Sequence, residues 1–164
     1  MKITEDLYNK IISLYPKWKE LNQEIKKIYS RGINLHEAFS EIIVCYHFNL
    51  ELNNNKNSNS VDAFDLQNKT YQIKGASSKN DLTSFGPSSI FDKLIFCYIQ
   101  QDTDEMFVFL IDKDQVINIL VNKHETFKQQ QLQKRRPRFS LYKSIVIKNN
   151  LNPIKIINLR ECIK

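Results

Sequence analysis

Three side chains in the middle of the chain, Asp62, Gln72 and Lys74, combine hard oxygen donors with an ammonium group at a spacing that one β-hairpin can close. Residues 60–66 and 70–76 are short β-patterned runs separated by Gln67-Asn68-Lys69, which predicts a hairpin. Strand side chains alternate, so Gln72 and Lys74 share one face while Tyr71 and Ile73 take the other. The hairpin then sets Asp62 across from the neighbourhood of Gln72. Asp65 has the opposite parity, and Asp62, deeper in its strand, is the preferred carboxylate. Glu37, facing inward from a preceding helix, is a further candidate, with Glu41 one turn later on the same side as a weaker one.

Such a set suits hydrolysis of a phosphodiester. Hard oxygen ligands hold Mg²⁺, which polarises a phosphoryl oxygen and lowers the pKa of a bound water. A lysine beside that water orients it and offsets charge growing on the phosphate. Structural roles compete with this reading: Lys74 as a strand residue reaching solvent, Asp62 as a loop-end cap, and Glu37 as half of a capping box.

Helical periodicity over residues 3–28 returns Leu7, Ile11, Ile12, Leu14, Leu21, Ile25 and Ile28 to one face, and Pro16 predicts a kink or break. Asn34 is the expected cap of a second helix reaching about Phe48, with Glu37 three residues on. Residues 53–60 are a polar loop, and 77–87 a second one closed by Gly86-Pro87. Residues 95–100 and 106–111 are apolar strands joined by an acidic turn. Asp112 or Asp114 caps a helix expected over 115–125. Residues 139–147 fit either a strand or a buried helix, and the remainder of the chain reads as a basic tail. The order predicts an α/β (α+β) domain, a central mixed sheet flanked by helices, occupying residues 1–164 as a single unit.

Hydrophobic residues are 41% of the chain and charged residues 26%, as in ordinary globular proteins. No run is apolar enough to span a bilayer, and the acidic, amphipathic start is unlike a signal peptide, so a cytoplasmic location is expected. Cys45, Cys97 and Cys162 are odd in number and set among apolar neighbours, which predicts buried free thiols. Net charge is +6, but from residue 123 onward eleven Lys/Arg face two acids, a net of +9. That basic third suits a polyanion. Within it, residues 128–148 carry seven Lys/Arg, no acid and interleaved glutamines, so Lys134, Arg135, Arg136 and Arg138 are candidate DNA contacts.

The pattern Asp62-x9-Gln72-x-Lys74 behind a helix bearing Glu37 resembles the PD-(D/E)XK nuclease motif in its QxK variant. Arg31-Gly-Ile-Asn-Leu-His-Glu-Ala-Phe-Ser-Glu41, Asp81-Leu-Thr-Ser-Phe-Gly-Pro87 and Lys-Arg-Arg-Pro-Arg-Phe-Ser near the C-terminus resemble a small group of Type II restriction endonucleases that cut interrupted GC-rich sites of the GCNGC kind. The resemblance implies Asp62 and Glu37 as metal ligands, Gln72 where Asp or Glu usually stands, Lys74 as the catalytic lysine, and the Ile73 carbonyl as a further ligand. It also implies Mg²⁺ as cofactor and double-stranded DNA as substrate. Ser84 and Lys79, with Ser77 and Ser78, would lie near the DNA backbone. A palindromic site is matched by a two-fold protein, so a homodimer is expected. A structure-specific or repair nuclease and a non-catalytic DNA-binding module remain the alternatives.

Overall fold

A computed structural model describes residues 1–55 and 61–162, so most of the polar loop over 53–60, and the first residue of the run 60–66, lie outside the described residues. The elements run α1 (Glu5–Ile28), α2 (Glu37–His47), β1 (Glu51–Leu52), β2 (Ala63–Phe64), β3 (Thr70–Ala76), β4 (Thr83–Ser84), β5 (Lys93–Gln100), β6 (Glu105–Asp112), α3 (Lys113–Ile117), α4 (Phe127–Leu132), β7 (Arg138–Phe139), a π-helical turn Tyr142–Ile147, and β8 (Lys155–Asn158). Six strands form one sheet in the order β1-β2-β3-β5-β6-β8, with β4 and β7 paired separately. Only β3 and β5 run parallel, so the sheet is mixed, as expected.

β5 explains the layering. Its Ile95, Cys97 and Ile99 join Tyr8, Ile12, Tyr15, Phe39 and Ile43 beneath α1 and α2. Its Leu94, Phe96 and Tyr98 join Phe85, Phe109, Phe127, Phe139 and Ile145 on the opposite face. A strand covered on both faces loses polar alternation, which is why 93–100 reads as a continuous apolar run.

α1 departs from expectation in two ways. It passes through Pro16 without interruption, capped by the Thr4 hydroxyl accepting from Leu7 N–H. Proline removes one backbone donor, but residues on both sides of it are tied to one turn of the sheet. Tyr15 Oη donates to Asp104 (2.9 Å), and Lys19 Nζ donates to Asp104 (2.6 Å) and to the Gln101 carbonyl (2.6 Å). Those ties also rotate the helix. Tyr8, Ile12, Tyr15 and Asn22 face the core, whereas Leu14, Leu21 and Ile28 of the expected buried stripe are exposed.

Other boundaries moved as well. His36, not Asn34, caps α2, its ring Nδ1 accepting from Ala38 N–H (3.1 Å), so Glu37 opens the helix rather than closing a capping box. The expected helix over 115–125 shortens to α3, capped by Asp112, and α4 forms beyond it around its own Thr126–Gln129 capping box. Residues 139–147 split between β7 and the π-helical turn. The tail is not free: β8 pairs with β6 and closes the sheet. Cys45 and Cys97 are buried free thiols, but Cys162 is exposed. Among the described residues no helix is long and apolar enough to cross a membrane.

Buried Asn22 ties α1 to the segments around the site. Its Oδ1 accepts from Ile33 N–H (2.7 Å), its Nδ2 donates to Gln101 Oε1 (3.1 Å), and Gln101 Nε2 donates to the Ser77 carbonyl (3.3 Å). Gly32 leaves room for this fork, because a Cβ there would stand 1.9 Å from Asn22 Oδ1. Gly32→Ala is therefore expected to break the Asn22–Ile33 bond and cost about 1–3 kcal/mol, visible as a lower melting temperature. An unchanged melting curve would show that the fork contributes nothing.

Candidate active site

β2 and β3 pair antiparallel with Ala63 opposite Tyr71 and Phe64 opposite Thr70, so one further step sets Asp62 level with Gln72. Asp62 N–H donates to the Tyr71 carbonyl (2.8 Å), and Ile73 N–H donates back to Asp62 Oδ2 (2.7 Å). That return bond orients the carboxylate along β3 and leaves Oδ1 for other partners. Asp65 is committed elsewhere. Its Oδ1 accepts from Gln67 and Lys69 N–H (2.8 and 2.9 Å), and its Oδ2 from Tyr71 Oη (3.1 Å). Those bonds fold the turn in which Asn68 takes a positive φ of 59°, and they separate Asp62 from Asp65 by role.

α2 lies close over β3 at Gly75, where an added Cβ would meet Ser40 Oγ at 3.2 Å. This approach brings the acids of α2 toward Asp62. Burial pushes the Glu41 carboxyl up to about 7, with the charges of Asp62 and Glu37 adding to the rise and Lys74 opposing it. Asp62 is also raised by burial, against the Ile73 N–H and Lys74, which favour its ionised form, while Glu37 raises it further. Asp62 and Glu41 thus both feel Glu37 and Lys74, and the four groups form one electrostatic cluster. Within it Glu41 is half-buried, and Glu37 is exposed rather than facing inward as expected.

Gln72 is 2% exposed, and its Oε1 is a buried side-chain acceptor with no hydrogen-bond partner among the described residues. A buried, unpaired amide oxygen costs free energy unless something with positive charge or a donor meets it. Among the described residues no three His, Cys, Asp or Glu side chains converge as a ready ligand set. The donors at hand are instead two carboxylates, an amide oxygen and a backbone carbonyl, all hard oxygens of the kind Mg²⁺ accepts alongside water. Lys74 is half-buried, its Nζ 5.9 Å from the centre of the Phe85 ring.

In front of this cluster opens a cleft of about 720 Å³, floored by Ile73 to Ala76. Lys74 and Glu37 line it, whereas Asp62, Glu41 and Gln72 do not. Lys74 therefore belongs to both the cluster and the cleft. Of the expected DNA contacts, Ser84 and Arg138 face each other across the β4–β7 pair and both line the cleft. Lys79 is exposed beside it, with Nζ 5.4 Å from the centre of the Tyr142 ring. Lys134, Arg135 and Arg136 are exposed but outside the cleft. Arg135 pairs with Glu125 and donates to Gln133 Oε1 (2.9 Å), so its charge is locally neutralised. Lys26 and Arg31, outside the basic C-terminal third, line the opposite wall. Their only sequence signal is that Arg31 opens the segment running to Glu41.

The family model described as Bsp6I restriction endonuclease matches residues 3–148 of the chain. The Type II restriction enzyme Bsp6I of Bacillus sp. (strain RFL6) is 37% identical over 164 residues, covering 98% of this chain and 92% of that protein. The matched span takes in both arms of the Asp62–Lys74 ribbon, the acids of α2 and both walls of the cleft. On that likeness, the chain belongs to the Bsp6I restriction endonuclease family.

Proposed function

We propose that the chain, acting as a single nuclease domain in the cytoplasm, is a Type II restriction endonuclease. It would hydrolyse both strands of double-stranded DNA at an interrupted GC-rich site of the GCNGC kind, leaving 5′-phosphate and 3′-hydroxyl ends. The observation that carries the reading is Lys74: one ammonium group both lines the cleft and opposes the charge of the half-buried Asp62 and Glu41. The PD-(D/E)XK pattern, the family match and the basic side chains on both cleft walls support it.

Type II restriction enzymes generally need a divalent metal ion, and Mg²⁺ suits the donors here. Asp62, Glu41 and the Ile73 carbonyl would hold it, with the Gln72 amide oxygen where this motif usually has an acid. Burial beside Asp62 favours Glu41 over Glu37 as the second carboxylate, and Glu37 would act at the rim. Held there, such an ion would supply Lewis-acid polarisation of the scissile phosphate and activation of the attacking water. The protein's own groups do the rest. Ile73 N–H fixes the Asp62 carboxylate, Lys74 donates toward the attacking water and the phosphate oxygens, and Arg138, Ser84, Lys79, Lys26 and Arg31 neutralise and position the DNA backbone. Arg135 and Arg136 recede as backbone contacts because they stand away from the cleft.

Plasmid cleavage with sequencing of the ends tests this directly. Asp62→Ala and Lys74→Ala are each expected to lower cleavage by about 10²-fold or more with DNA binding retained, and EDTA is expected to abolish it. Full activity in either variant, or in EDTA, would remove the enzymatic reading. Arg138→Ala is expected to weaken binding and reduce its salt slope by about one, with Arg135→Ala leaving the slope unchanged. The reverse pattern would move the DNA track to the 134–136 run.

Glu41 also makes a pH prediction for the metal-free protein. Its folded pKa of about 7 lies above the ordinary 4.5, so the stability it contributes is fully present below the ordinary value and is lost as pH rises through 7. After discounting for solvent screening, that loss is about 1 kcal/mol between pH 5 and 8. Glu41→Gln should therefore melt higher than the parent protein at pH 8 in EDTA and alike at pH 5. Equal melting of the two at pH 8 would show that Glu41 is not held against its ionisation.

A further inference from the structure

We propose that the outward face of α1 is the dimer interface, and that two copies meet there antiparallel with Leu21 on the two-fold axis. The proposal rests on the restriction-enzyme reading only for the need of two copies, one per DNA strand. α1 carries two apolar faces. Tyr8, Ile12 and Tyr15 face the core, while Leu7, Ile11, Leu14, Trp18, Leu21, Ile25 and Ile28 recur at alternating spacings of four and three, the seam of a coiled coil. Leu7, Ile11 and Trp18 pack partly against the core. Leu14, Leu21 and Ile28 are left 44%, 53% and 87% exposed, one every seven residues.

The charges beside this seam select the partner and the direction. On one flank stand Lys10, Lys17 and Glu24, all exposed. A parallel copy in register would set Lys17 against Lys17 and Glu24 against Glu24. An antiparallel copy centred on Leu21 stacks Leu14 on Ile28 about 10 Å to either side of the axis and sets Lys17 of each copy beside Glu24 of the other. The present partner of Glu24 is Lys27, three residues on in the same helix and also exposed, and such a surface pair exchanges at little cost. Asn22 and Lys26, neighbours of the seam residues Leu21 and Ile25, line the cleft. The axis at Leu21 therefore adjoins the two clefts, whose Lys26 and Arg31 walls would continue into each other along one duplex.

Sedimentation and DNA cleavage, read separately, test it. The wild type is expected to sediment as a dimer at micromolar concentration, and Leu21→Glu as a monomer with unchanged circular dichroism that nicks plasmid instead of linearising it. Lys17→Glu alone should weaken the dimer, and adding Glu24→Lys should restore it. A monomeric wild type that still linearises DNA would overturn the interface and leave the cleavage reading intact. A Leu21→Glu protein that remains dimeric, or a charge swap that fails to rescue, would equally overturn it. A dimer dissociated by Leu21→Glu but inactive in every form would sustain the interface and sink the nuclease.

Discussion

Carboxylates withdrawn from water are expensive, and the site of this protein is organised around holding several of them near one lysine. Asp62 is half-buried at a strand end with one oxygen bonded to Ile73 N–H, Glu41 is raised to about 7, and Lys74 opposes both shifts. A like-charge cluster of this kind is relieved when one acid keeps its proton, as the raised Glu41 does, or when a cation answers it. One ammonium group covers part of that deficit, and the unpaired oxygen of Gln72 adds to it. The remaining demand is for positive charge bound by hard oxygens. The same electrostatic deficit that costs the fold stability is thus what would give an ion its affinity.

The scaffold makes that arrangement rigid. β3 is held by β2 on one side and by the doubly covered β5 on the other, so the Asp62–Lys74 ribbon cannot slide without disturbing both core layers. α2 can press on β3 because position 75 has no side chain, and Ser40 occupies the space. Asn22 and Gln101 then link α1, the segment after it and the end of β3 through a run of buried amides. The cleft walls and the acidic cluster are therefore positioned by the same few contacts.

Much of this was legible in the chain itself, for local reasons. Turn residues between two alternating runs identify a hairpin, and parity alone pairs Asp62 with Gln72 and removes Asp65 from their face. What failed was settled by contacts between distant segments. Helical spacing puts Glu37 and Glu41 on one side of α2 but does not say which of them the neighbouring strands cover; the structure half-buries Glu41 and leaves Glu37 exposed at the cleft. β8 looked like a tail because its only apolar pair, Ile156 and Ile157, is flanked by Lys155 and Asn158, and its strand character comes from pairing with β6. The run at 134–136 was persuasive by composition, yet Glu125, ten residues from Arg135, claims part of its charge.

α1 shows the deepest limit of periodicity. A helix with two apolar stripes specifies two surfaces but not which of them turns inward. Here a single aspartate on a distant turn decides: Asp104, at a positive φ of 57°, receives Tyr15, Lys19 and Arg160 together. Three donors converging on one part-buried carboxylate outweigh the modest gain from burying Leu14 or Leu21 instead, because an ion left in that position without partners would cost more than a half-exposed leucine. The polar residues of α1 thus set its orientation, and the hydrophobic stripe they displace is left outward, where another copy can cover it.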